Sequence, residues 1–345
     1  MQLFSNDLGI DLGTSNVLIN VDGQGVVIRE PSVVAVDKNT GKILQVGAAA
    51  KNMLGRTPGN VVAMHPLKDG VISDLEMTVK MLQILFRSVS KSNFFTPKPR
   101  VVISVPSSVT EVEERTVINA AVEAGARRVY LIEEPLAAAI GAGLDISGAE
   151  GHMLVDIGGG TTDIAVLTMN DVAVSSSIKT AGMAFDEAII RSIRRTYGIV
   201  IGQVTAEDIK MQIGCVYPRQ EEISMIVKGR DAKTGMPREI NITSKDVLDI
   251  LSRPAARIVE EVLSVLEDTS PELVSDIAEN GITLTGGGSQ IYGMDRLMTE
   301  ATGIQCTLAD DAASCVAYGC GKSLAWINQM QEGPINIARK RLMRL

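Results

Sequence analysis

The sequence predicts a duplicated α/β fold: two similar halves, each a mixed sheet covered by helices, with strand-end loops facing one shared cleft. Two observations predict it. A glycine-turn hairpin occurs twice, as Leu8-Gly-Ile-Asp-Leu-Gly-Thr-Ser-Asn-Val-Leu-Ile-Asn20 and as Leu154-Val-Asp-Ile-Gly-Gly-Gly-Thr-Thr-Asp-Ile-Ala-Val-Leu167, so that Asp11-x-Gly13-Thr14 answers Asp156-x-Gly158. The order meander, helix, strand, helix also runs through the chain twice. At 345 residues there is length for two domains with large cores.

In chain order, residues 8–36 alternate apolar and polar side chains and read as a three-strand meander whose last strand is 33–36. A turn at 38–42, a short strand at 43–47 and a small helix to Leu54 follow. Residues 55–73 read as loop, and 32–73 as a small insertion. Asp74 caps a helix with one apolar stripe, Leu75, Val79, Leu82, Phe86 and Val89. The apolar strand 101–105 stops at Pro106. Thr110 and Glu113 form a capping box for a helix that ends at Gly125. A strand over 128–132 runs into Glu133-Glu134-Pro135, and a small-residue helix spans 136–144. The second half opens with a meander at 153–179 and a helix at 186–197. After a variable stretch, 198–243, come a helix at 255–268, another after Pro271, the strand 281–285, the turn Gly286-Gly-Gly-Ser289 and a helix at 291–302.

The glycine turns carry the chemistry. Side-chain-poor turns let backbone N–H groups approach an anion, as in phosphate-binding nests. An aspartate ending the first strand repels phosphate, but it can hold Mg²⁺ through water, and the cation then bridges to phosphates. A glycine-rich hairpin with no ligand is the plain alternative for either motif alone; two facing hairpins would clamp a nucleotide tail from both sides.

Composition narrows the rest. A net charge of −8 argues against a nucleic-acid binder, and 3% aromatics leave little for base stacking. Cys215, Cys306, Cys315 and Cys320 include no Cys-x-x-Cys pair, and with two histidines there is neither a zinc pattern nor a disulfide framework. That usage fits a reducing cytosol. No apolar run is long enough to span a bilayer, and no secretory signal is expected.

Asp11-Leu-Gly-Thr-Ser15, Asp156-Ile-Gly-Gly-Gly-Thr-Thr-Asp163 and Thr285-Gly-Gly-Gly-Ser289 resemble the two phosphate motifs and the adenosine motif of the actin–Hsp70–hexokinase superfamily. Within it, Glu30-Pro-Ser-Val-Val-Ala35, Gly55-Arg-Thr-Pro-Gly-Asn60, Pro66-Leu-Lys-Asp-Gly-Val71, Glu133-Glu-Pro-Leu-Ala-Ala-Ala-Ile-Gly-Ala-Gly143 and Pro271-Glu-Leu-Val-Ser-Asp276 resemble the MreB/Mbl bacterial actins, over about residues 7–330. The resemblance implies an actin-like fold: two similar domains, each with a mixed five-stranded sheet and flanking helices, in four subdomains around an ATP cleft. Subdomain IA would take 1–31, 74–147 and 313–345, IB 32–73, IIA 148–183 and 244–312, and IIB 184–243. It implies a slow ATPase with ATP and Mg²⁺, assembling with itself into paired protofilaments at the inner face of the cytoplasmic membrane. There the filaments would direct the cell-wall elongation machinery and maintain rod shape.

The resemblance also distributes roles. Asp11 and Asp156 would hold Mg²⁺ and its waters. Gly13, Thr14, Ser15, Gly158, Gly159, Gly160 and Thr161 would cradle phosphates. Glu134 would orient or activate the attacking water, with Thr161 near the γ-phosphate. Glu207 and Lys210 would contact ribose and adenine, with Gly286, Gly287 and Gly288 giving the purine a backbone surface. Glu133 could exchange places with Glu134, and Glu207 with Lys210 could be an ordinary solvated helical pair. Asp310 and Asp311 read as caps for the last helix, Gly319 and Gly321 as packing residues, and His65 and His152 as loop residues. Met183 stands where the family carries a polar or acidic side chain, which puts contacts near the nucleotide in question.

A small-molecule kinase, an Hsp70-like chaperone and a plasmid-segregation actin are the competing readings; the first lacks an inserted substrate domain and the second a peptide-binding domain. Phe94 and Phe95, beside Lys91 and Lys98, either pack inward or enter a bilayer. The resemblance favours the bilayer. A second candidate anchor is the C-terminal segment, where Ile335, Ala338, Leu342 and Leu345 share one helical face and Arg339, Lys340, Arg341 and Arg344 lie elsewhere.

Overall fold

The computed structural model describes residues 7–89 and 98–327. Phe94, Phe95 and the segment 335–345 lie outside the described residues. The first half runs β1 (Leu8–Leu12), β2 (Asn16–Val21), β3 (Gly25–Pro31), β4 (Val34–Asp37), β5 (Ile43–Val46), α1 (Ala48–Lys51), β6 (Val61–Met64), β7 (Leu67–Lys68), β8 (Val71–Ile72), α2 (Leu75–Val89), β9 (Arg100–Val105), α3 (Glu111–Ala124), β10 (Arg128–Glu133) and α4 (Glu134–Ala142). The second runs β11 (His152–Ile157), β12 (Thr162–Thr168), β13 (Asp171–Ile178), α5 (Gly182–Tyr197), β14 (Ile199–Val200), α6 (Gln203–Ile213), β15 (Ser224–Asp231), β16 (Pro237–Thr243), α7 (Ser244–Glu267), α8 (Pro271–Asn280), β17 (Ile282–Thr285), α9 (Met294–Thr302), β18 (Cys306–Leu308) and α10 (Cys315–Ile327).

The duplication is visible strand by strand. One five-stranded sheet has the order β3-β2-β1-β9-β10, the other β13-β12-β11-β17-β18. In each, three strands form an antiparallel meander and two more join in parallel. The two central strands, β1 and β11, are therefore topological equivalents, and each carries its aspartate near its carboxyl end. Each sheet buries its own apolar layer, around Ile10, Ile19 and Ile103 in one half and around Val155, Ile164 and Leu284 in the other. A third layer joins the halves. It holds Ala137, Ala138 and Ala139 of α4 with Val316, Cys320 and Leu324 of α10. A Cβ at Gly319 would overlap the Ala137 carbonyl, and one at Gly141 would overlap the Cys315 carbonyl, so these two helices need glycine at the crossing. Gly319 and Gly321 are packing residues, as the sequence suggests.

Local signals hold at several ends. The Met77 N–H donates to Asp74 Oδ1 at 3.0 Å, and the Thr110–Glu113 capping box forms. Gly125 stops α3 at φ 121°, where a side chain would be strained.

Other expectations need correction. The strand at 33–36 is not part of the first meander. Its counterpart β4 belongs to a separate sheet of order β5-β4-β6, because alternation sets a strand's faces and not its partners. Residues 55–73 contain β6 and the small hairpin β7–β8 rather than loop alone. Helix α4 begins at Glu134, with Pro135 in its first turn where a missing N–H costs nothing. His152 opens β11 instead of lying in a loop. Helix α7 starts at Ser244, not Ala255, with a Thr243–Asp246 capping box, and passes straight through Pro254. Its buried stripe, Val247, Leu251, Ala255, Ile258, Val262 and Val265, is continuous across the proline, so burial outweighs the roughly 3 kcal/mol that an internal proline costs. Asp311 precedes the 3-10 turn at 312–314 and makes no side-chain cap to it. Its carboxylate takes Arg29 at 2.7 Å and the Tyr318 hydroxyl at 3.2 Å.

Candidate functional site

The two glycine turns meet face to face. A Cβ at Gly160 would lie 2.5 Å from Thr14 Oγ1, and one at Gly159 would run into the Ser15 side chain, so only glycine permits this approach. Each turn is held from behind. The first amides of α5 donate to the second turn: Gly182 N–H to Gly158 O at 3.1 Å and Met183 N–H to Gly159 O at 2.8 Å. The opposite edges of those planar peptides are the N–H groups of Gly159 and Gly160, which therefore point away from α5. The Ser32 hydroxyl holds the first turn in the same way, donating to Gly13 O at 2.6 Å, which turns the Thr14 N–H away from Ser32. Met183 contributes a backbone amide here, which any side chain leaves in place. The β7–β8 hairpin closes over the pair, with the Gly70 N–H donating to Thr14 Oγ1 at 2.9 Å.

Beside the turns four carboxyls converge: Asp11, Asp156, Glu134 and Asp163. Asp156, Glu134 and Asp163 are buried, and Asp11 is partly open to the cleft. Loss of hydration, then the nearby Asp156, raises the Asp11 carboxyl to about 8. Burial raises Asp156 to about 7, with Asp163 adding to it, while the Thr285 hydroxyl works against the rise by donating to Asp156 Oδ1 at 2.7 Å. Glu134 is pushed well above the usual carboxyl range by burial, then by Asp163, Asp11 and Asp156. Asp163 Oδ1 accepts from the Ser107 N–H at 3.2 Å, and its Oδ2 is buried without a hydrogen-bond partner. Four acids converging in a buried site, each raised by lost hydration, form a place where positive charge would be favoured. Among the described residues no three acidic, histidine or cysteine side chains are placed to ligate a metal directly. Asp11 and Asp156, near the ends of equivalent strands beside the two turns, are a donor set that fits a hydrated divalent cation.

The remaining expected residues lie further out. Lys210 does not pair with Glu207. Its ammonium meets Asp186 Oδ1 at 2.8 Å and donates to Gly182 O at 3.0 Å, bracing α6 against the start of α5. Burial lifts Asp186 to about 6 against the pull of Lys210. Glu207 instead meets Lys51 at 2.6 Å, from the other half of the molecule. Of the three glycines after β17, Gly286 (φ 84°) and Gly288 press on Ile157 at the end of β11, and only Gly287 has open space beside it. Gly287 is the exposed glycine of the three. His65 sits just past β6, where burial lowers its pKa and keeps it neutral.

Four contributors escape the sequence reading: Asp163, Thr285, Ser107 and Lys51. A signal existed for the first two. Asp163 pairs across the hairpin with Asp156, and Thr285 lies beside Asp156 in the parallel register of β11 and β17.

A family model described as MreB/Mbl protein matches residues 5–332. The chain is 51% identical over 330 residues to the cell shape-determining protein MreB of Escherichia coli, covering 94% of this chain and 95% of that one. It is 48% identical over 328 residues to the cell shape-determining protein Mbl of Bacillus cereus, covering 95% and 98%. A crystal structure of MreB 5 of Spiroplasma citri bound to AMPPNP superposes with a TM-score of 0.89 at 40% identity, over 93% of this chain and 96% of that one.

Proposed function

The chain belongs to the MreB/Mbl family, with its actin-like fold, and from that we propose that it binds and slowly hydrolyses ATP and polymerises into membrane-associated filaments that direct cell-wall synthesis and maintain rod shape. The observation that carries the nucleotide reading is the contact of the two glycine turns, Gly160 on Thr14 and Gly159 on Ser15, next to four buried or half-buried acids. The AMPPNP carried by the Spiroplasma citri protein supports it. The partners would be other copies of the same chain in paired protofilaments, the inner face of the cytoplasmic membrane and the elongation machinery. The small sheets within 32–73 and 184–243 would form the two outer lobes, subdomains IB and IIB. Among the described residues no helix is long and apolar enough to cross a membrane, so attachment would be peripheral.

In this reading the amides of Gly159, Gly160 and Thr14 and the hydroxyls of Thr14, Ser15 and Thr161 receive the phosphate oxygens. Asp11 and Asp156 would hold Mg²⁺ through water, and the cation would supply charge that offsets phosphates and acids together. Glu134 takes the proton of the attacking water; Asp163 and the start of α4 fix where that carboxyl sits. Burial and neighbouring acids hold Glu134 protonated until positive charge enters the cleft; once ionised beside the cation it is a strong base for a carboxylate, which suits the task. Gly287, Glu207 and the brace at Lys210 would face the adenosine.

Glu134→Ala tests the assignment. ATP binding should stay within about threefold, because the cradle is backbone. Phosphate release should fall on the order of 10²-fold, and pelleted polymer should persist longer after ATP is exhausted. Release at the wild-type rate refutes the role. A chain that stays monomeric with ATP, Mg²⁺ and lipid, and phosphorylates a metabolite, would replace the filament reading with a kinase.

A further inference from the structure

Lys51 closes α1 at one rim of the cleft, and Glu207 lies on α6 at the other, 2.6 Å away. Both ends are anchored. Helix α1 is pinned by Glu30, whose carboxylate accepts the Ala48 N–H at 2.8 Å, and by the Gly47 N–H to Val33 O at 2.9 Å. Helix α6 buries Ala206, Ile209 and Ile213, and one turn past Glu207 it is tied through Lys210 to Gly182, whose own N–H holds the phosphate turn. The pair is half-buried. Its side chains are 30% and 25% exposed, whereas Thr14 and Asp156 are 3% and 5% exposed. Nothing local joins residues 51 and 207, so the contact exists only when the two rims are together.

We propose that Lys51 and Glu207 form a latch across the cleft that sets how fast nucleotide enters and leaves. The proposal rests on the ATP site above. A ligand passing between the rims requires the pair to part. A latch closing ahead of and behind the ligand slows both directions equally, so its removal speeds exchange with little change in affinity. A residue that merely touched nucleotide would change dissociation and affinity alone.

The test uses etheno-ATP with Mg²⁺ in stopped flow, on the full chain, comparing wild type with Lys51→Met and Lys51→Arg. Association and dissociation rates should rise together in Lys51→Met by roughly two- to fivefold, the range of a partly exposed ion pair, with Kd within about twofold. Lys51→Arg should return both rates toward wild type. Thermal unfolding of each variant checks the fold. Unchanged rates in a folded Lys51→Met overturn the latch, and so does a faster dissociation with unchanged association, which makes Lys51 an ordinary ligand contact. Absence of etheno-ATP binding to the wild type removes the nucleotide reading and the latch with it.

Discussion

Thr285→Val removes one hydroxyl and little else. Thr285 is fully buried at the end of β17, and its Oγ1 donates to Asp156 Oδ1 at 2.7 Å. Valine has nearly the same shape, so the packing survives while Asp156 loses the donor that favours its ionised form. A hydrogen bond to a charged group contributes about 1.5–3 kcal/mol, and a pKa unit corresponds to about 1.4 kcal/mol. The Asp156 carboxyl, already raised to about 7, should therefore climb by roughly one to two units. The sign follows directly. A higher pKa leaves more of the acid protonated at pH 7, and a protonated acid attracts no cation. Affinity for ATP with Mg²⁺ at pH 7 should drop roughly five- to fiftyfold, and the deficit should shrink toward pH 9.5 as the variant ionises. Calorimetric titration of the nucleotide from pH 6 to 9.5 reads both effects, and Thr285→Ser should restore the wild-type profile. Superimposable pH profiles for wild type and Thr285→Val would mean that this hydroxyl does not tune Asp156.

Two further outcomes are expected. In divalent-free buffer the folded values of Asp11 and Asp156, about 8 and about 7, stand above their ordinary 3.8, so the unfolded chain sheds those protons first and stability should fall between about pH 5 and 8; melting curves should show that slope with EDTA and a flatter one with Mg²⁺, and a rise in stability over the same interval contradicts it. Phe94→Ser with Phe95→Ser should abolish co-sedimentation with anionic liposomes while leaving filaments intact; if the double variant still pellets and removal of 335–345 stops it, the C-terminal segment is the anchor.

What the chain discloses of itself depends on how local the cause is. The paired hairpins, the capping box at Thr110 and the helix stop at Gly125 are written in a few adjacent residues, and the structure forms them there. The glycine turns were legible for the same reason. The strand at 33–36 reads as part of the first meander because its alternation is the same whichever neighbour it pairs with. The reading that starts this helix at 255 misses its first turns, because the buried stripe of α7 runs on across Pro254. At the site, Asp163 stood inside a recognised motif, but its role depends on a buried neighbour, Glu134, contributed by a different element. Lys51 and Glu207 meet only through the closed tertiary arrangement, and no spacing along the chain announces that.

The four cysteines are all buried and none is bonded to another. Burial raises the thiol of Cys315 to about 11 and that of Cys320 well above its usual value. A thiol that is both shielded and protonated reacts slowly with maleimides and disulfide reagents. A single cysteine introduced on an exposed position can thus be labelled selectively near neutral pH without first removing the native ones. The native thiols then serve a second purpose: under denaturant, their modification reports the moment each layer of the interior opens, with Cys320 marking the seam between the halves and Cys306 the second sheet.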